Sequence, residues 1–190
     1  LKRLPAGPHG LPPELVERNQ RERLIAAMAE VCGERGYGES SVAEVAKRAG
    51  VSTASFYRQF KDRRECMLAS FEELFGRLFE ALAGSCDGEE ESGAKARAGA
   101  AAAAALLAGD LPTARLLSLE ILAVGPEGVR AQHEAIERLA TLLRAPGAEF
   151  PPGSDRAWTA IAAMTSLVAR RASEDRAPDS AELEAIAEVL

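Results

Sequence analysis

Cysteine is scarce in this 190-residue chain, and the three present, Cys32, Cys66 and Cys86, are an odd number with no C-x-x-C pair. That argues against a disulfide framework and a thiolate metal site, and fits a reducing cytoplasm. Histidine is scarcer still. His9 and His133 fall in different segments, so a metal site would have to draw most of its ligands from carboxylates, and none is expected. Long hydrophobic runs are missing: the uncharged stretches from Ala98 to Gly109 and from Ala157 to Ala169 fall short of the roughly 18 to 20 residues that cross a bilayer. No membrane span and no leader-like apolar run is read. No phosphate-cradling glycine loop appears, no nucleophile sits in a strand-to-helix turn, and no Cys–His or Ser–His pair has a recognisable frame. The chain therefore reads as a non-enzyme, with no catalytic residue and no cofactor.

What is present is the balance of a globular protein: 47% hydrophobic residues, 27% charged, and a net charge of −6, enough for one domain or two small ones. The net charge argues against a chain that coats nucleic acid over its whole surface. It hides an asymmetry, because residues 1–64 carry 12 basic and 8 acidic side chains whereas the remainder carries 11 and 21. A basic head sits on an acidic body.

No segment of any length alternates with period two, so an all-α fold is expected. Residues 1–13 hold Pro5, Pro8, Pro12 and Pro13 with Gly7 and Gly10, a composition that reads as a flexible arm. From Glu14 the apolar residues Leu24, Ile25, Met28, Val31 and Cys32 recur at helical spacing, and Gly36 is read as the helix stop. The run Ser41-Val42-Ala43-Glu44 is a capping box that opens a two-turn helix closing at Ala49-Gly50. Ser52 caps a second short helix, Thr53 to Phe60. The run Asp62-Arg63-Arg64-Glu65 opens a longer one, striped by Phe71, Phe75, Leu78, Phe79 and Leu82 and reaching about Ala83.

Beyond a polar linker from Gly84 to Gly93, the pattern predicts an alanine-rich helix over Ala94–Ala108, whose small side chains permit close approach of neighbours. Another is capped by Asp110 and ends at Gly125-Pro126, and a third covers Glu127–Leu143. After a loop bearing Pro146 to Gly153, an apolar helix carries Trp158, Ile161, Met164 and Val168. Ser180 is read as the cap of the last. Phe56, Phe60, Phe71 and Phe75 are read as core, as are Cys32 and Cys66. Cys86, in the linker, is the thiol expected to be exposed.

Two short helices joined by a tight glycine turn and braced by longer ones make a helix-turn-helix, whose second short helix can lie in the major groove. Thr53, Ala54, Ser55 and Arg58 offer a methyl, hydroxyls and a guanidinium to base edges. Ser40, Ser41, Tyr57, Lys61 and Arg63 supply donors for the flanking phosphates. Basic residues at the start of the long helix oppose its dipole, which an external anion would relieve.

The run GYGESSVAEVAKRAGVSTASFYRQFKDRRECML resembles the DNA-binding signature of the tetracycline-repressor (TetR) family of bacterial regulators. It does so at Gly36-Tyr37, Ser40-Ser41, Val45-Ala46, Ala49-Gly50-Val51-Ser52, Phe56-Tyr57, Phe60 and Lys61. Ala54 departs from a frequent Gly and Arg63 from a frequent Lys. The resemblance implies a helix-turn-helix DNA-binding domain over residues 14–64 and a helical effector-binding and dimerisation domain over 65–190. It further implies a ligand-responsive regulator, most often a repressor, that binds a palindromic double-stranded operator as a homodimer through its C-terminal helices, Trp158–Val168 and Ala181–Leu190. Phe75, Phe79, Trp158 and Met164 are candidates for the pocket of an unknown, hydrophobic small-molecule effector, with the helix opened by Asp62 as the lever to the head. By analogy with arms elsewhere, Lys2 and Arg3 would reach the minor groove. A helical protein-interaction adaptor, using the helix-turn-helix only as a fold element, is the alternative of another class.

Overall fold

The computed structural model describes residues 12–87, 92–144 and 155–188. The arm with Lys2 and Arg3, the Glu89–Glu91 run, the Pro146–Gly153 loop and Leu190 lie outside the described residues. All regular structure among the described residues is helical: α1 (Pro13–Glu39), α2 (Val42–Ala49), α3 (Thr53–Gln59), α4 (Arg63–Cys86), α5 (Ser92–Ala108), α6 (Leu111–Ser118), a 3-10 turn (Glu120–Val124), α7 (Pro126–Leu143), α8 (Arg156–Ser173) and α9 (Ser180–Ala187).

The polar cap signals act as the sequence indicates. The side chains of Ser41, Ser52 and Asp62 accept the backbone N–H groups of Glu44, Ser55 and Glu65 at 3.2, 3.0 and 2.8 Å, satisfying amides that a helix start would otherwise leave unpaired. Helix α2 ends in a Schellman arrangement: Gly50 sits at φ 65°, ψ 37°, its N–H bonds the Lys47 carbonyl at 3.0 Å, and the Val51 N–H bonds that of Ala46 at 2.9 Å. A side chain at this left-handed position would be strained, so the glycine makes the turn of the helix-turn-helix.

Several boundaries differ from the sequence reading. Pro13 is the first residue of α1 rather than the last of an arm, because the missing proline N–H costs nothing in a first turn. Gly36 does not close α1 but kinks it, at φ 77°, ψ 157°, with the chain winding on to Glu39. Helix α4 continues past Ala83 to Cys86, whose buried thiol packs at α5 and bonds the Lys95 carbonyl at 3.4 Å. The helix capped by Asp110 breaks after Ser118 into the 3-10 turn, where Glu120 is drawn inward. At α9 the cap is Asp179, accepting from the Ala181 N–H at 3.0 Å, while the Ser180 hydroxyl bonds Glu184.

One continuous apolar core runs from head to body. In the head, Leu24, Met28, Val45, Phe56, Phe60 and Met67 are fully buried, and burial of each large side chain is worth roughly 1.5–3 kcal/mol. Phe71 stacks on Phe75 with centroids 6.0 Å apart, carrying the aromatic stripe of α4 into the body. There α4, α5, α6, α7, α8 and α9 pack around a cavity.

Candidate nucleic-acid interface and effector cavity

Three arginines of the head tie the short helices to α1. The Arg23 guanidinium donates to the carbonyls of Ala49 and Gly50, the latter at 2.9 Å, and so fixes the end of α2 to α1. Arg21 lies over the Phe60 ring at 4.5 Å, a cation–π contact that ties the end of α3 to the same helix. Arg48 pairs with Glu34 at 2.6 Å and Glu30 at 3.1 Å. The hydrogen bonds from Arg48 hold the Glu34 carboxyl below its ordinary pKa, and those carboxylates in turn raise Arg48.

The nine sequence-predicted contact residues separate into an outward set and an inward one. Thr53, Ala54, Tyr57 and Arg58 are exposed along α3, and Ser41 and Lys61 are exposed at the starts of α2 and α4. Tyr57 is 58% exposed, too much for a core tyrosine, with its ring edge-on to Phe56 at 5.5 Å. Ser55 is buried; its Oγ accepts from Arg58 at 2.8 Å and lies 3.0 Å from the Ser52 hydroxyl. Ser40 is buried as well, its hydroxyl donating to the Tyr37 carbonyl at 2.8 Å. Arg63 stacks on the Tyr37 ring at 4.2 Å and donates to the Ser40 carbonyl.

Arg64 reaches across to Glu127 of α7 at 2.8 Å. The basic start of α4 is therefore neutralised largely from within, by the Asp62 cap, by Glu65, which accepts the Lys61 N–H at 2.5 Å, and by Glu127. The Lys61 side chain stays exposed.

The cavity measures about 100 Å³. Among the described residues that line it there is no Asp, Glu, Lys or Arg. Its three polar wall residues are satisfied by carbonyls: Ser118 by that of Ala114 at 2.7 Å, Thr165 by that of Ile161 at 2.9 Å, and Gln132 by those of Leu117 and Ser118 at 3.4 and 3.0 Å. Such a surface selects an apolar ligand, because a charge placed there would lose its hydration without a partner.

Of the predicted pocket residues, Phe75 and Met164 line the cavity. Phe79 and Trp158 are not in its wall: Phe79 packs on the wall residue Phe75 at 6.0 Å, and the Trp158 ring packs on His133 at 5.5 Å. Among the wall residues that sequence reasoning missed are Ala96, Gly99, Ala100 and Ala103 of α5, whose small side chains leave space rather than merely allow close packing. Gln132 carried no signal at all. Cys86 is not the exposed thiol of a linker: it is buried and lines the cavity. Desolvation pushes the Cys32 and Cys66 thiols of the head up to about 11 and about 12.

Among the described residues no three His, Cys, Asp or Glu side chains converge as a metal site, and no single helix is long and apolar enough to cross a membrane.

Residues 24–69 match the family model of bacterial regulatory proteins, tetR family. A curated relative, the fatty acid metabolism regulator protein of Bacillus subtilis (strain 168), is 32% identical over 107 residues, 55% of this chain and 54% of that protein. The match thus spans about half the length of the relative. Among solved structures, the fatty acid degradation regulator FadR from Bacillus halodurans superposes with a TM-score of 0.75 at 19% identity, covering 90% of this chain and 93% of that one. The regulator FadR from Bacillus subtilis, in complex with stearoyl-CoA, gives 0.72 at 22% identity, over 88% and 96%. At these identities the likeness is one of fold.

Proposed function

We propose that this chain, whose residues 24–69 match the model of bacterial regulatory proteins, tetR family, is a cytoplasmic, DNA-binding repressor of that family, released from its operator by a long-chain acyl ligand. The observation that carries this reading is the uncharged cavity walled by α4 and α6, helices that also pack on α1, the helix against which α2 and α3 lie. The bound stearoyl-CoA of the Bacillus subtilis structure supplies the ligand class, and the alanine wall of α5 accords with a slender chain.

On DNA, the exposed Thr53, Ala54 and Arg58 of α3 read base edges, while Ser41, Tyr57 and Lys61 bind phosphates. Ser40, Ser55 and Arg63 act behind them by holding the starts of α2, α3 and α4. Two copies pair through α8 and α9 and set their recognition helices about 34 Å apart on a palindrome. The outward face of α8 offers the small residues Thr159, Ala163 and Ser166 for that seam. Residues 14–64 form the DNA-binding unit and 65–190 the effector and pairing unit, with α4 continuous between them.

Drug-sized pockets run to roughly 300–1,000 Å³, so a cavity of about 100 Å³ holds only part of a long chain. Entry must then move its walls, which gives the ligand unequal affinity for two conformations, the condition for any coupling. Selection of random duplexes at about 0.15 M salt, followed by titration of stearoyl-CoA onto the complex, tests the proposal. A recovered palindrome released by stearoyl-CoA supports it. Recovery of no sequence returns the chain to the adaptor reading, and an operator that stoichiometric stearoyl-CoA does not release removes the acyl ligand.

A further inference from the structure

We propose that Arg138 of α7 is the anion-binding residue at the edge of the cavity, where it receives the negatively charged head of an acyl chain lying inside. The proposal rests on the acyl-ligand reading above and adds the part of the ligand that the cavity itself cannot recognise. With no charged side chain in the wall, an anionic head has to stay at a margin, and the margin must offer a cation that solvent can reach.

Arg138 meets that requirement. Its guanidinium carbon lies 4.7 Å from the centroid of Phe75 and 5.0 Å from that of Phe79. Phe75 is a buried wall residue of the cavity, while the Arg138 side chain is 47% exposed. One ring therefore separates the apolar interior from a solvent-facing cation between α4 and α7.

The state of its donors is the second observation. Arg138 makes no hydrogen bond among the described residues, and its charge partner, Glu72, stands 3.7 Å away, beyond hydrogen-bond reach. Several other arginines of the body are closed into short pairs: Arg77 with Glu73 at 2.9 Å, Arg115 with Asp175 at 2.8 Å, and Arg144 with Glu137 at 2.7 Å. A guanidinium that lies over aromatic rings and makes no hydrogen bond to the described residues has N–H groups left for a planar or tetrahedral oxyanion, which it can grip with two parallel hydrogen bonds. The chemistry is shared by the carboxylate of a free fatty acid and the phosphates of an acyl-CoA.

The test is calorimetric titration of the full chain with laurate, lauroyl-CoA and dodecanol, comparing the native protein with Arg138→Gln and Arg138→Lys. Arg138→Gln is expected to weaken an anionic probe roughly tenfold and to leave dodecanol within about twofold, with Arg138→Lys intermediate. A loss with laurate assigns the carboxylate, and a loss confined to lauroyl-CoA assigns the phosphates. Equal weakening of all three probes, or of none, overturns the role of Arg138 while leaving the cavity as an acyl site. Failure of all three to bind the native chain overturns the acyl reading and Arg138 with it. Circular dichroism of each variant separates misfolding from lost recognition.

Discussion

The Glu120 carboxylate accepts the backbone N–H of Tyr37 at 2.7 Å across 83 positions of sequence, joining the 3-10 turn of the body to the kink of α1. Both residues are buried. The neighbouring Gly36 holds φ 77°, and a Cβ there would lie 3.4 Å from the same carboxylate. The Tyr37 ring in turn carries the Arg63 guanidinium, and Arg63 holds the Ser40 carbonyl just before the cap of α2. Leu117 and Ser118, two to three residues before Glu120, are cavity wall. A short chain of contacts thus leads from the cavity to the helix-turn-helix, beside the route along α4.

Removing the Glu120 acceptor tests that joint. Glu120→Ala leaves a buried amide without a partner, a loss of about 2 kcal/mol, whereas Glu120→Gln keeps an acceptor oxygen and recovers most of it. Urea denaturation of the two variants measures the difference. Equal midpoints for both and for the native chain would mean that the bond contributes nothing.

Arg63 and Lys61 stand two residues apart and have opposite surroundings. Lys61→Ala is expected to weaken binding to specific and random duplex alike, and to reduce the log–log salt slope, about −7 for a dimer contacting eight phosphates, by about 2. Arg63→Ala is expected to lower the melting temperature instead, because its donor and its ring contact both lie inside the head. Titrations at several salt concentrations, paired with thermal melts, separate the two. A slope change on Arg63→Ala without loss of stability would return that residue to the DNA surface.

On α3 the exposed guanidinium of Arg58 is the group fitted to a base edge. Arg58→Ala is expected to relax preference at one position of each half-site, costing roughly 1–3 kcal/mol on the selected sequence and little on random DNA. Competition binding with single-base variants of the operator reads this directly. A uniform loss across all variants would make Arg58 a phosphate contact.

The all-helical fold, the caps and the helix-turn-helix were legible because each rests on local chemistry. Ser41, Ser52, Asp62 and Gly50 act within four residues of themselves. What was not legible depends on partners distant in sequence. Arg63 looks like a phosphate contact until Tyr37 is placed beneath it, and Ser55 looks like a base reader until its burial against Ser52 and Arg58 is seen. The break after Ser118 follows from Glu120 meeting Tyr37, which no periodicity encodes. The alanine run of α5 announced a helix but not whether its small faces would be packed or left open. That depends on α4 and α7, and here they leave a cavity.

The two thiols of the head make a prediction about alkaline pH. Burial raises Cys32 to about 11 and Cys66 to about 12 from an ordinary value of 9.0, so the folded head retains protons that the unfolded chain gives up. The stability they contribute is complete below about pH 9 and is lost as the pH rises through the folded values. Urea midpoints are therefore expected to fall between pH 9 and 11, and to fall less in Cys32→Ala/Cys66→Ala, whatever that variant loses in packing. Parallel pH profiles for the two proteins would rule out the thiols as the cause.

Ala103 of α5 lines the cavity and is only partly buried, so a larger side chain there has room to enter it. A void of about 100 Å³ approaches the size that accepts an aromatic ring, and Ala103→Phe would occupy the space an acyl chain needs. Stability is expected to hold or rise, since the ring fills empty space instead of displacing packed atoms. Operator binding is expected to persist, because α5 packs on α4, α6, α7 and α9, while stearoyl-CoA no longer releases the complex. Measuring release by fluorescence anisotropy of a labelled operator decides the matter. Unchanged release by Ala103→Phe would place the acyl chain somewhere other than this cavity, and loss of operator binding in the ligand-free variant would show that filling the cavity is enough to drive the head into its released state.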